Sequence, residues 1–284
     1  MIIVRLRGGL GNQLFQYALG RHLALLNQTE LKLDISLLTT PYTWTRRQYQ
    51  LDAFVIKATV ATRQEIAALK GKYEVLSRLL RFLSPQYYRE PCFEFDDKVL
   101  SLRGSFYLDG YWQSEKYFEA IASLLRTDLR PEVALSANRA AAFGENKNTI
   151  AVSIHLRCVA IISFCSKANR YLQPCSMDYY ENAIGYMAKE IENPTFFVFS
   201  DDISWVRENL KVPFQVHFIE GYTPQEDLWM MAACRHHIIA NSTFSWWGAW
   251  LNPGPYKTVI APQRWFATER FNTQDLLPTK WIRL

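Results

Sequence analysis

Short apolar runs, each ending at a polar or glycine-rich turn and leading into a segment of helical period, recur along this chain. That alternation admits few folds other than a parallel α/β sheet. Ile2 to Leu6 reads as a short buried strand, followed by Gly8-Gly9-Leu10-Gly11-Asn12. A helix with Leu14, Tyr17, Ala18, Arg21, His22 and Leu25 at helical spacing comes next. Gln64 to Leu83 carries a second helical pattern, interrupted by Gly71, with Arg78 and Arg81 on its polar side. That face reads first as a solvated basic face and second as a contact for an anionic membrane. Phe106 to Gln113 is predicted as a strand end or loop before a helix around Tyr117 to Leu125, and the polar, Ala-rich stretch 134–148 reads as a hinge. Strands are then predicted at Thr149–Leu156, Thr195–Phe199, Val216–Ile219, His237–Ala240 and Thr258–Ala261. The helices between them fall at Asp178–Glu192, Ile203–Leu210, Pro224–Cys234 and Thr243–Leu251. The expectation is two Rossmann-like domains facing a cleft, residues 1–145 and 146–284.

Composition narrows the function classes. With 49% hydrophobic residues over 284 positions the chain can bury two cores, which excludes overall disorder. A net charge of +5 suits an anionic ligand, but no dense Lys/Arg run, zinc spacing or RNA-binding aromatic signature accompanies it, so no nucleic-acid partner is expected. The five cysteines include no Cys-x-x-Cys pair, and reduced thiols in a cytoplasm are the expectation. The apolar run at Met1–Leu6 is too short for a signal peptide, and no window approaches a membrane span. The localisation expected is cytoplasmic, with peripheral contact on an inner membrane as the outer limit.

Three segments in the second half follow strands that would end at the carboxyl edge of a parallel sheet, where doubly wound folds bind ligands. They are Ser153-Ile154-His155-Leu156-Arg157, Phe197-Val198-Phe199-Ser200-Asp201-Asp202 and Ile239-Ala240-Asn241-Ser242-Thr243-Phe244-Ser245-Trp246-Trp247. Any one of them alone is an ordinary strand end. Together they supply a helix start with hydroxyls and open N–H groups at Ser242, Thr243 and Ser245, which suits a phosphate. Arg157 adds the cation that a leaving diphosphate requires. Asp201 or Asp202 either accepts from a base edge or ribose hydroxyl, or caps the following helix.

Gly8 through Tyr17 (Gly-Gly-Leu-Gly-Asn-Gln-Leu-Phe-Gln-Tyr) strongly resembles the N-terminal signature of bacterial α-1,2-fucosyltransferases. Gly110 through Phe118 is similar to that family's central motif, and Asp227–Cys234 with Ile239–Leu251 to its C-terminal motif. The resemblance implies a GT-B-like fold and an inverting transfer of L-fucose from GDP-fucose to the 2-hydroxyl of a galactose-terminated oligosaccharide or lipid-linked glycan. GDP-fucose is then a substrate, no cofactor is implied, and metal independence agrees with the lack of any Asp-x-Asp. The resemblance further implies Arg157 and His155 as catalytic residues. It implies donor contacts from Gly9, Gly11, Asn12, Ser200, Asp201, Asp202, Asn241, Ser242, Thr243, Phe244 and Ser245, and acceptor-side positions at Asp109, Tyr111, Trp112 and Gln113. Asp109 and Glu220 are candidates for the base by position only. A non-catalytic GDP-sugar-binding homologue and a fucosyltransferase of different linkage are the alternatives.

One segment departs from the pattern. The family's His-x-Arg-Arg-Gly-Asp-Tyr is matched at His155 and Arg157, after which the chain reads Cys158-Val159-Ala160-Ile161-Ile162-Ser163-Phe164-Cys165. One permitted codon choice for Cys158–Ile162 spells Arg-Gly-Asp-Tyr-Ile two bases later. A local frameshift closed before Lys167 and ordinary divergence are both open readings.

Overall fold

The computed structural model describes residues 1–39, 47–70, 86–131, 150–158 and 173–284. The expected hinge at 134–148, most of the 158–165 departure, and Arg78 and Arg81 lie outside the described residues. The chain divides into two compact units, one of residues 1–130 with 272–276, the other of residues 131–271 with 277–284.

The first unit is built on a five-stranded parallel sheet. Its strands are β1 (Ile2–Arg5), β2 (Leu31–Asp34), β3 (Thr59–Val60), β4 (Tyr87–Arg89) and β5 (Phe106–Asp109), in the order β3-β2-β1-β5-β4. Helix α1 (Leu10–Leu26) packs on this sheet, with Leu14, Phe15, Tyr17, Ala18 and Leu19 fully buried. Gly20 lies so close to the sheet that a Cβ there would stand 2.4 Å from Val4. A short helix α2 (Ser36–Thr39), helix α3 (Arg63–Lys70) and helix α4 (Ala122–Asp128) complete the unit with four 3-10 turns. The helix expected around Tyr117–Leu125 is instead two 3-10 turns, Glu115–Tyr117 and Glu119–Ile121, running into α4. Ser114 accepts from the Lys116 N–H and sets the first of these turns.

The second unit carries a six-stranded parallel sheet. It contains β6 (Ile150–Leu156), β7 (Pro194–Ser200), β8 (Gln215–Phe218), β9 (His236–Ile238), β10 (Val259–Ala261) and β11 (Ile282–Arg283). Their order is β11-β10-β9-β6-β7-β8. Counted in chain order within the unit this is 3-2-1-4-5-6 read from the β8 edge, the doubly wound arrangement of dinucleotide-binding folds. Helices α5 (Met177–Glu190), α6 (Ile203–Asn209), α7 (Pro224–Ala233) and α8 (Thr243–Leu251) connect the strands. Each begins at a side-chain cap: Ser176, Asp202, Thr223 (a full capping box with Glu226) and Ser242. From Ser245 onward α8 is buried all round, and the rings of Trp246, Trp247 and Trp250 pack on one another. That pattern marks a core helix, not an amphipathic surface one. Among the described residues, no helix is long and apolar enough to cross a membrane.

Candidate active site

In the second sheet the strand order reverses once, between β6 and β9, while in the first the runs β3-β2-β1 and β5-β4 meet at the neighbouring strands β1 and β5. The crevice outside the carboxyl ends of such a pair is where open α/β sheets bind ligands.

In the second unit this crevice brings together the ends of β6, β7 and β9. His155 and Arg157 come from the end of β6, and Asn241, Ser242 and the first turn of α8 follow β9. Ser242 is the N-cap of α8 and accepts from the Phe244 N–H at 3.3 Å. The helix start carries no acidic residue in its first turn, so its partial positive charge is unopposed there. His155 is 8% exposed, its ring centroid lies 5.4 Å from that of Phe244, and its Nδ1 has no hydrogen-bond partner. Burial, assisted by the Arg157 charge, pushes the imidazole down to about 3. His155 is therefore neutral at working pH and a weak proton acceptor.

Other residues of this cluster have structural partners. Asn241 donates both Nδ2 protons, to the carbonyls of Gln173 (2.7 Å) and Trp265 (3.0 Å), and so ties two loops to the end of β9. Ser245 donates to the carbonyls of Ala240 (3.3 Å) and Ser242 (3.1 Å), so its hydroxyl does not point a proton at a phosphate. Asp202 caps α6 through the Trp205 N–H at 3.1 Å, the capping alternative of the two open for it. Asp201 accepts from the Cys158 N–H at 2.8 Å, and the Ser200 hydroxyl sits 3.3 Å from Cys158 Sγ. The residue that begins the departure from the family pattern is thus pinned between two site positions, and its thiol is raised by burial.

In the first unit the signature Gly8–Tyr17 is largely a scaffold. Gly8 is left-handed (φ +81°), and a Cβ there would meet Asn12 Nδ2 at 2.4 Å. It is the position that needs glycine, whereas Gly9 is extended (φ −78°, ψ 178°). Gln13 donates to the carbonyls of Gly8 and Gln48, and accepts from the Gln50 N–H. Gln16 joins the main chain of Arg7 and Gly110, and Tyr17 binds Asp128 at 2.8 Å. Gly11 is buried in the first turn of α1, and Asn12 accepts from Gln113 Nε2 at 2.8 Å. Buried amides satisfied in this way pin loops at the carboxyl edge of the sheet.

Beside them, Asp109 lies between Arg5 (3.2 Å), Arg7 (3.0 Å) and the Tyr87 hydroxyl (2.6 Å). Burial alone would raise its carboxyl, but the Tyr87 hydrogen bond and the two guanidiniums hold it below the usual range. A carboxylate so neutralised is a poor general base, which favours a structural role for Asp109. Glu220, the other candidate, is an exposed partner of Arg207 at 2.6 Å. Trp112, expected on the acceptor side, is fully buried at left-handed φ +58°, its ring against Tyr117 and Tyr88. Such backbone strain is of order 1–3 kcal/mol. Glu90 offsets it by accepting the N–H groups of Tyr111 (2.7 Å) and Trp112 (2.8 Å). Neither Glu90 nor Arg7 was singled out in the sequence, because nothing local to Pro91 or Leu6 marks them.

The profile of the family described as "Glycosyl transferase family 11" matches residues 1–284. The chain is 35% identical to an "Alpha-1,2-colitosyltransferase" of Escherichia coli, covering 100% of this chain and 99% of that one. It is 31% identical to "O-antigen biosynthesis glycosyltransferase WbnK" of Escherichia coli, covering 98% and 99%. Among solved structures, the NodZ alpha-1,6-fucosyltransferase co-crystallised with GDP aligns with TM-score 0.50 at 14% identity, covering 89% of this chain and 92% of that one. The likeness in fold and the two parallel sheets agree with a GT-B architecture.

Proposed function

Given that this chain belongs to glycosyl transferase family 11, we propose that it is an inverting α-1,2-fucosyltransferase. On this reading it moves L-fucose from GDP-fucose to the 2-hydroxyl of a terminal galactoside. The observation that supports the proposal is the β6/β9 reversal, which puts the end of β6, which Arg157 follows, next to the end of β9 and the start of α8, whose first turn carries no acidic residue. A guanidinium and the N–H groups of a helix start are the donors a departing diphosphate needs, and charge developing on GDP as the glycosidic bond breaks is stabilised there. His155, neutral and buried beneath them, then orients the site and takes no proton. The residues of the second unit would hold the donor and those of the first the acceptor. Neither of the two candidates by position has the character of a general base, since Asp109 is held ionised between guanidiniums and Glu220 is an exposed partner of Arg207. Without them, the proton of the acceptor hydroxyl would leave late, to the departing phosphate oxygen or to solvent.

A second reading concerns the donor. The relative that is 35% identical over the whole chain transfers colitose, which is L-fucose without its 3-hydroxyl. The deciding experiment offers GDP-fucose and GDP-colitose in turn, with lactose as acceptor, and reads product linkage by NMR. An α-1,2-fucosyl product is expected. A product from GDP-colitose alone would move the chain to the second reading, and binding of GDP-fucose without transfer from either donor would make it a non-catalytic homologue.

A further inference from the structure

We infer that Tyr111 is the stacking platform for the acceptor pyranose, with Arg7 and Glu90 as positioning residues that hold its ring at the carboxyl edge of the first sheet. The inference rests on the acceptor assignment above and gives it a chemistry. Arg7 follows β1 and Tyr111 follows β5, neighbouring parallel strands at the centre of the first sheet. The Arg7 guanidinium lies 4.5 Å from the centroid of the Tyr111 ring, a cation–π contact that supports one face of it. Tyr111 is nevertheless 37% exposed, one of the few large aromatic rings open to solvent among the described residues. From below, the Glu90 carboxylate accepts the N–H groups of Tyr111 and Trp112 and fixes the turn. Gly110 has no room for a side chain, since a Cβ would stand 2.5 Å from both Glu90 and the Trp112 ring. The ring is thus held by a cation, a carboxylate and a strained turn, although it packs into no core.

Charge at this edge points to the ligand class. Two guanidiniums, Arg5 and Arg7, face the carboxylates of Asp109 and Glu90, so the site is close to neutral. A nucleoside diphosphate would gain little here. An aromatic face beside the amides of Gln113 and Asn12 instead suits an uncharged sugar. A galactopyranose carries C3–H, C4–H and C5–H on one face because its 4-hydroxyl is axial to the other, which makes an apolar patch of ring size. The platform would therefore favour galacto- over gluco-configured acceptors.

Steady-state kinetics on the full chain test this with Tyr111→Ala, Tyr111→Phe and Glu90→Gln. Tyr111→Ala should raise the KM for lactose about tenfold, the scale of one lost stacking contact. The KM for GDP-fucose and the melting temperature should not move, and Tyr111→Phe should retain parental values. Glu90→Gln, which cannot accept both N–H groups as a carboxylate does, should raise the lactose KM severalfold with kcat less affected. Preference for lactose over cellobiose should shrink in Tyr111→Ala. An unmoved lactose KM, or equal effects on donor and acceptor, would overturn the platform. Should no donor be turned over at all, the proposed function fails separately, and saturation-transfer NMR of lactose still decides. Lactose signal in the parent that is lost in Tyr111→Ala upholds the platform; equal signal, or none in either, overturns it.

Discussion

Asp227 sits in the first turn of α7, where burial, with Glu226 beside it, raises its carboxyl to about 7. One of its oxygens, Oδ1, is buried without a hydrogen-bond partner. An unfolded aspartate titrates near 3.9, so between that value and about 7 the folded chain binds more protons than the unfolded one. Stability contributed by this group is complete below the unfolded value and is lost as pH rises through the folded one. Asp227→Asn removes the titration. Melting temperatures at pH 5 and pH 8 should fall more in the parent than in the variant, and parallel curves would show that Asp227 is ionised in both states. The same scale shows where sequence reading fails. Asp109 and Asp227 are both aspartates near strand ends or helix starts, yet one is held ionised by Tyr87, Arg7 and Arg5 and the other is pushed toward its neutral form. Those partners lie up to 104 residues away in the chain, as Arg5 does from Asp109, so no local pattern reports them.

At the scale of elements, two glycines make a matched pair. Gly110 is closed off by Glu90 and Trp112, whereas nothing lies within 4 Å of a Cβ at Gly185, on the exposed face of α5. Gly110→Ala should destabilise by about 1–3 kcal/mol through overpacking. Gly185→Ala should stabilise by about 0.5–1 kcal/mol, since alanine restricts the unfolded chain and suits a helix. Urea unfolding of the two variants checks both signs, and a neutral Gly110→Ala would mean the turn relaxes freely. Strand β6 was legible because every residue but His155 is apolar or small, and Val152 through Leu156 are buried, as expected of a strand inside a parallel sheet. Helices α5 to α8 were legible from their periods and their Ser, Asp and Thr caps. Strand β2 was not: Leu31-Lys32-Leu33-Asp34 is four residues long and has a single alternation, and its assignment rests on pairing with β1. Strands β3 and β11, of two residues each, exist only as ladder partners.

For the molecule as a whole, both parallel sheets are formed, so on the proposed function a defect from the departure after Arg157 should fall on turnover more than on folding. Cys158 illustrates why. It is 5% exposed and packs into the core of the second unit, its N–H held by Asp201 and its thiol beside Ser200. The fold therefore absorbs cysteine at a position where the family pattern has arginine. On the proposed function, what the departure removes is one cation that would face the leaving group, and a carboxylate two residues further on. A charge-assisted hydrogen bond is worth about 1.5–3 kcal/mol, so the loss of one corresponds to roughly 10–100-fold in rate. A version carrying C158R, V159G, A160D and I161Y should raise kcat by about that factor and tighten GDP binding, and its melting temperature reads separately what a guanidinium costs in place of the buried Cys158 thiol. Asp201 is the control. With arginine at 158 its carboxylate gains a cation beside it, so Asp201→Asn should cost more in the restored chain than in the parent, and a double-mutant cycle on kcat/KM measures that coupling. Equal kcat in parent and restored chains would mean that Arg157 and the start of α8 suffice for the leaving diphosphate and that the departure is ordinary divergence.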